Sequence, residues 1–132
     1  MGRRLILDTS ILIAYERGTI DRSALDEDEL AVASISIAEY RTGIELADSP
    51  ERAAERARAL ATITSVVAVL DYTEVTVAHH ARLLAHVCTS GTPRGAHDLI
   101  IAAHAAQTGR LVLSRDVKAR FGGLPGITAI EA

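Results

Sequence analysis

Four carboxylates in this chain, Asp8, Glu39, Asp98 and Asp116, stand where a strand or loop gives way to a helix start. Asp8 follows Leu5-Ile6-Leu7, Glu39 closes Ser36-Ile37-Ala38-Glu39, Asp98 opens Leu99-Ile100-Ile101-Ala102-Ala103, and Asp116 follows Leu111 to Ser114. Each has an ordinary reading as a cap, because Asp accepts hydrogen bonds from the free amides of a first turn and Ser36 with Glu39 matches a capping box. Their shared placement suggests a second reading. Helix starts that follow parallel strands lie on one edge of the sheet, where open α/β folds bind ligands. Carboxylates gathered in a partly desolvated crevice repel unless they share protons or a cation. Oxygen-only ligands select Mg²⁺ or Mn²⁺ over Zn²⁺. Such an ion keeps waters that become nucleophiles while its charge stabilises a phosphoryl group, so the chemistry predicted is metal-assisted phosphodiester hydrolysis. Thr9, Ser10 and Ser114 stand beside the acids, placed to orient a water or a phosphate, although hydroxyls at helix starts also serve as caps.

The elements that must position these groups follow from periodicity. Leu5 to Leu7 reads as a buried parallel strand, followed by a helix from Ser10 to Arg17 that Gly18 ends in the left-handed conformation. Thr19 to Glu29 is polar and acidic, a loop or short helix. A strand over Leu30–Ser36 and a helix over Ile37–Leu46 come next. Ser49 and Pro50 open a helix carrying Ala53, Ala57, Leu60 and Ala61 on one face. Val66 to Leu70 fits another buried strand, and Thr73 caps a long helix whose face of Val77, Ala81, Leu84 and Cys88 is expected in the core. After the loop Gly91–Gly95, an almost wholly apolar helix runs from Asp98 to Gly109, which places Asp98 near the protein's centre. Leu111–Ser114 is a strand, Asp116–Phe121 a short helical turn, and Ile127–Ile130 a final strand. The pattern predicts one α/β domain over residues 1–132, with helices on both faces of a mostly parallel sheet.

Composition narrows the partners. At 132 residues and 48% hydrophobic, the chain can bury one core. Cys88 is the only cysteine, so an intrachain disulfide and a cysteine-based zinc site are excluded. No apolar run approaches the ~20 residues of a membrane span, and Met1 to Arg4 is not followed by a signal pattern, so a cytoplasmic protein is expected. Net charge −3 argues against non-specific coating of nucleic acid but allows a basic rim around an acidic centre. Of 14 basic residues only Lys118 is a lysine. Arginine's planar fork suits phosphate, and Arg94, Arg115, Lys118 and Arg120 flank the Asp98 and Asp116 motifs as candidate substrate contacts. With one Phe, three Tyr and no Trp, base stacking has few platforms, so shape and phosphate contacts are expected to dominate.

The motifs Leu-Ile-Leu-Asp8-Thr-Ser, Ser-Ile-Ala-Glu39-Tyr-Arg-Thr-Gly43, Asp98-Leu-Ile-Ile-Ala-Ala and Leu-Val-Leu-Ser114-Arg-Asp116 resemble, in order, those of the PIN domain. The compact length is similar to VapC-type toxins of toxin-antitoxin pairs. The resemblance covers essentially the whole chain. It implies a three-layer α/β/α fold and a Mg²⁺- or Mn²⁺-dependent endoribonuclease that dimerises and is silenced by a VapB-like antitoxin. It also implies that Asp8, Glu39 and Asp98 form the acidic, metal-binding core with Asp116 as fourth member. Ser114 stands where the family commonly has Thr, and Asp116 where Asn is also common.

Other classes fit less well. A phosphatase that begins with such an Asp needs a second Asp two residues later, where Ser10 stands, and a receiver-type switch needs a Lys after a late strand, whereas Lys118 falls in a predicted helix. A non-catalytic metal-binding or RNA-binding interaction domain remains the alternative.

Overall fold

The run Leu5, Ile6, Leu7 lies fully inside the protein, and the sheet is built outward from it. In the computed structural model, which describes residues 2–132, this run belongs to β1 (Arg4–Leu7). Then follow α1 (Thr9–Glu16), β2 (Glu29–Ala33), α2 (Ser34–Glu45), α3 (Pro50–Val66), β3 (Ala68–Leu70), α4 (Glu74–Ser90), α5 (Ala96–Thr108), β4 (Leu111–Ser114) and β5 (Ala129–Glu131). Short 3₁₀ turns occupy Arg22–Leu25, Val117–Ala119 and Phe121–Gly123.

The five strands are all parallel, in the order β3-β2-β1-β4-β5. Alternation along β1 sends Leu5 and Leu7 to one face and Ile6 to the other. Ile6, Ala33 and Val112 pack with Leu83 of α4, with Leu99, Ile101 and Ala102 of α5, and with Phe121. The opposite face is covered by Ile11 and Leu12 of α1, Tyr40 of α2, and Leu60 and Ile63 of α3. Helices therefore flank the sheet on both sides. After β1 the chain moves outward through β2 and β3, then returns to place β4 on the other side of β1. This reversal puts a crevice beyond the carboxyl ends of β1 and β4, where Asp8 and Asp116 leave the sheet.

Four expectations shift. β2 ends at Ala33, because its pairing ends there, with Val32 opposite Leu7 and Ala33 opposite Leu70. The helix consequently begins at Ser34, and Ser36 is a helical residue, not a cap. β3 is a three-residue edge strand with Val69 44% exposed; it is not buried, and α3 continues through Val66. On α4 the buried stripe is Thr76 and Leu83, one residue and so about 100° from the expected face. The hydroxyl of Thr76 fixes that rotation by donating to Gln107 Oε1 of α5 at 2.6 Å. Val77 and Leu84 are left 49% and 43% exposed, and Cys88 is on the surface. β5 begins at Ala129, two residues after the expected start.

Candidate metal centre at the carboxyl edge of the sheet

Asp8 is 3% exposed and holds the first turn of α1 by accepting from the Ile11 amide at 3.3 Å. The capping role is real, but it uses little of the carboxylate. Ser10 Oγ donates to Oδ1 and Ser114 Oγ to Oδ2, both at 2.5 Å. Each hydroxyl also receives a backbone N–H from the segment leaving β4: Arg115 to Ser10 and Asp116 to Ser114, both at 2.9 Å. These amides occupy a lone pair on each hydroxyl, so the hydroxyl protons are directed at Asp8. Burial pushes the Asp8 carboxyl above its ordinary pKa, the hydrogen bonds from Ser10, Ser114 and Ile11 oppose the rise, and the charge of Asp116 adds to it.

Glu39 sits in the second turn of α2 and does not complete a capping box; the α2 N-terminus has no side-chain cap. Instead its Oε1 accepts from Thr9 Oγ1 at 3.0 Å, and its Oε2 lies 3.4 Å from His97 Nδ1. Asp98 lies in the first turn of α5. Burial raises its pKa, followed by the charges of Asp116, Asp8 and Glu39, while His97 lowers it. The charges of the other three acids act on Asp98 in the same direction, as expected of carboxylates that share one edge. Asp116 caps the turn Val117–Ala119 by accepting from the Lys118 amide at 3.0 Å.

The donor set suits a hard cation. Every candidate ligand is a carboxylate oxygen, and Gly95 keeps the space around one of them open: a Cβ there would stand 2.8 Å from Asp98 Oδ2. Among the described residues no three acidic, His or Cys side chains stand close enough together to hold a metal ion between them. Mg²⁺ does not require such a cluster, since it is bound by one or two carboxylates and retains several waters. A cavity of about 720 Å³ lies elsewhere, between α1, the Arg22–Leu25 turn and the end of α3, and touches none of the four acids.

Of the expected substrate contacts, two are engaged within the chain. Arg94 Nη1 donates to the carbonyls of Ala119, at 2.9 Å, and Arg120, tying the loop before α5 to the C-terminal turns. Arg115 Nη1 and Nη2 donate to Oγ1 and O of Thr19 at 2.8 and 2.5 Å. Lys118 is exposed, and Arg120 reaches Pro93 O only at 3.5 Å. Periodicity assigned no role to Gly95 or His97. The only signal for Gly95 was its position three residues before Asp98, and His97 stands out only once α5 is packed beside α2.

Similarity to known proteins extends over nearly the whole chain. The sequence profile of the PIN domain matches residues 5–121. Ribonuclease VapC5 of Mycobacterium tuberculosis is 34% identical over 128 residues, covering 96% of this chain and 91% of that protein. The tRNA(fMet)-specific endonuclease VapC of Salmonella typhimurium is 30% identical, covering 81% and 78%. A crystal structure of DNA-bound VapBC from Salmonella typhimurium superposes with a TM-score of 0.84 at 27% identity, covering 99% of this chain and 98% of that one.

Proposed function

The chain belongs to the PIN domain family, and on that footing we propose that it is the toxin of a toxin-antitoxin pair, a Mg²⁺- or Mn²⁺-dependent endoribonuclease that hydrolyses RNA phosphodiester bonds. The observation that carries this reading is the arrangement at one sheet edge, where Ser10 and Ser114 hold Asp8, the Ser114 hydroxyl also receives the Asp116 amide, and Glu39 lies between Thr9 of α1 and His97, the neighbour of Asp98. Asp8, Glu39, Asp98 and Asp116 would hold the cation, which when bound supplies an activated water and stabilises charge on the phosphoryl oxygens. Asp8 is oriented by Ser10 and Ser114. Lys118 and Arg120, exposed beside Asp116, meet the RNA backbone, and Arg115 and Arg94 shape the rim through their backbone contacts.

A VapB-like antitoxin silences the enzyme; the VapBC complex among the structural relatives supports this. The chain pairs with itself through the exposed apolar face of α4, Val77, Leu84 and Cys88. It works in the cytoplasm; no helix among the described residues is long and apolar enough to cross a membrane.

The test is cleavage of RNA by purified protein. Cleavage with Mg²⁺ or Mn²⁺, its loss with chelator, and a loss of ~100-fold or more in Glu39→Gln, in keeping with removal of a charged group at a metal site, are expected. Cleavage that survives chelation overturns the mechanism. RNA binding without turnover in Mn²⁺ returns the non-catalytic interaction domain.

A further inference from the structure

We infer that His97 is a positioning residue that holds Glu39 in its metal-binding rotamer, a role that rests on the cation-binding reading of the acidic edge. The other three acids are short, and two of them are fixed by hydrogen bonds. Asp8 is held by two hydroxyls and an amide and Asp116 by the Lys118 amide, while Asp98 stands in the first turn of α5 beside Gly95. Glu39 is the long one, and it must reach the edge from α2 through three rotatable side-chain bonds.

Its two oxygens are met from two different helices. Thr9 of α1 donates to Oε1 at 3.0 Å, and His97 of α5 presents Nδ1 to Oε2 at 3.4 Å. A carboxylate approached on both oxygens from opposite elements has its plane fixed, whereas the single contact from Thr9 leaves it free to swing about that bond. Glu39 and His97 side chains are 34% and 50% exposed, so water competes for Oε2 wherever the imidazole is absent. His97 is also the residue immediately before Asp98, so the same turn of α5 sets one ligand and orients another. At 3.4 Å the approach of Nδ1 to Oε2 is longer than an ordinary N–H···O bond, so the imidazole orients the carboxylate as a polar neighbour placed at the Nδ1 position. Outer partners of this kind orient ligating carboxylates and tune ion affinity.

The geometry selects the substitutions. The amide nitrogen of Asn is as many bonds from Cα as Nδ1, while that of Gln reaches toward the position of Nε2. Mn²⁺ affinity is measured by calorimetry on the full chain, with melting in chelator to show that each variant folds. His97→Leu is expected to weaken Mn²⁺ binding about 10-fold, the low end of the cost of losing an outer partner. His97→Asn should restore most of that affinity and His97→Gln should not. Wild-type affinity in His97→Leu overturns the role while leaving the metal site intact. Equal affinities in the Asn and Gln variants overturn the Nδ1 geometry, and this comparison holds even if the Leu variant fails to fold. A wild-type protein that binds no Mn²⁺ overturns the metal reading and this role with it.

Discussion

Gly95, the N-cap of α5, and Asp98, in its first turn, lie so close that a Cβ on Gly95 would stand 2.8 Å from Asp98 Oδ2 and 3.3 Å from its Cγ. Gly95 has φ −63° and ψ 136°, a conformation open to any residue, so the glycine serves the space and not the backbone. Gly95→Ala is therefore expected to keep or slightly raise the melting temperature, since the unfolded chain loses freedom, while turning the Asp98 carboxylate away and weakening Mn²⁺ binding about 10-fold. Thermal melting and metal titration of the same preparation check both halves. Unchanged metal affinity would mean that Asp98 is not a ligand.

The Asp98 carboxyl is held above its ordinary pKa by burial and by the charges of Asp116, Asp8 and Glu39. A carboxyl that binds its proton more tightly when folded makes the metal-free protein less stable as pH rises from the ordinary carboxylate range through the raised value. His104 acts in the opposite direction, because burial lowers its pKa and acidification through the ordinary histidine range then costs stability. The difference between Asp98→Asn and wild type removes the His104 contribution. That difference should vanish in acid and favour the variant near neutral pH, and the variant should gain less from Mg²⁺. If Asp98→Asn melts well below wild type without metal and gains the same increment from Mg²⁺, Asp98 acts as a structural group alone.

What could be read ahead of the structure depended on the range of the cause. β1 and β4 were legible because strands buried on both faces of a parallel sheet are unbroken apolar runs, as Leu5–Leu7 and Leu111–Leu113 are. Asp8 and Asp116 were legible as residues leaving those strands. The Ser36–Glu39 pattern misled because it is local, whereas the end of β2 is decided by pairing with Leu7 and Leu70. Ser36 is instead fully buried, and its Oγ has no hydrogen-bond partner among the described residues. On α4, Val77 and Leu84 are more apolar than Thr76, but the hydrogen bond to Gln107, 31 residues away, sets the buried face. The Thr9–Glu39 contact spans 30 residues and has no local signature.

Arg115 and Lys118 separate structural from substrate contacts. Arg115→Ala removes two hydrogen bonds to Thr19 at an exposed position and should cost about 1 kcal/mol of stability. Lys118→Ala should leave stability unchanged but lower the salt dependence of RNA binding by about one charge. Denaturant unfolding and binding titrations over a range of salt check the pair. An unchanged salt slope in Lys118→Ala would place the RNA on another face.

Leu84 is 43% exposed on the apolar face of α4, beside Val77 and Cys88. A charge there cannot be desolvated against a second copy without a partner, so Leu84→Glu should shift a dimer to monomer in sedimentation while the monomer stays folded. A variant that sediments as a dimer would place self-association on a different surface.

Whether Asp8, Glu39, Asp98 and Asp116 serve one cation is decided by a crystal grown with saturating Mn²⁺, through the anomalous signal of the metal. The expected result is an anomalous peak at the carboxyl edge of β1 and β4, in contact with Asp8 and Asp98 and reached by Asp116 and Glu39 directly or through water. A fully occupied Mn²⁺ peak elsewhere on the chain, or none at this edge, would contradict it.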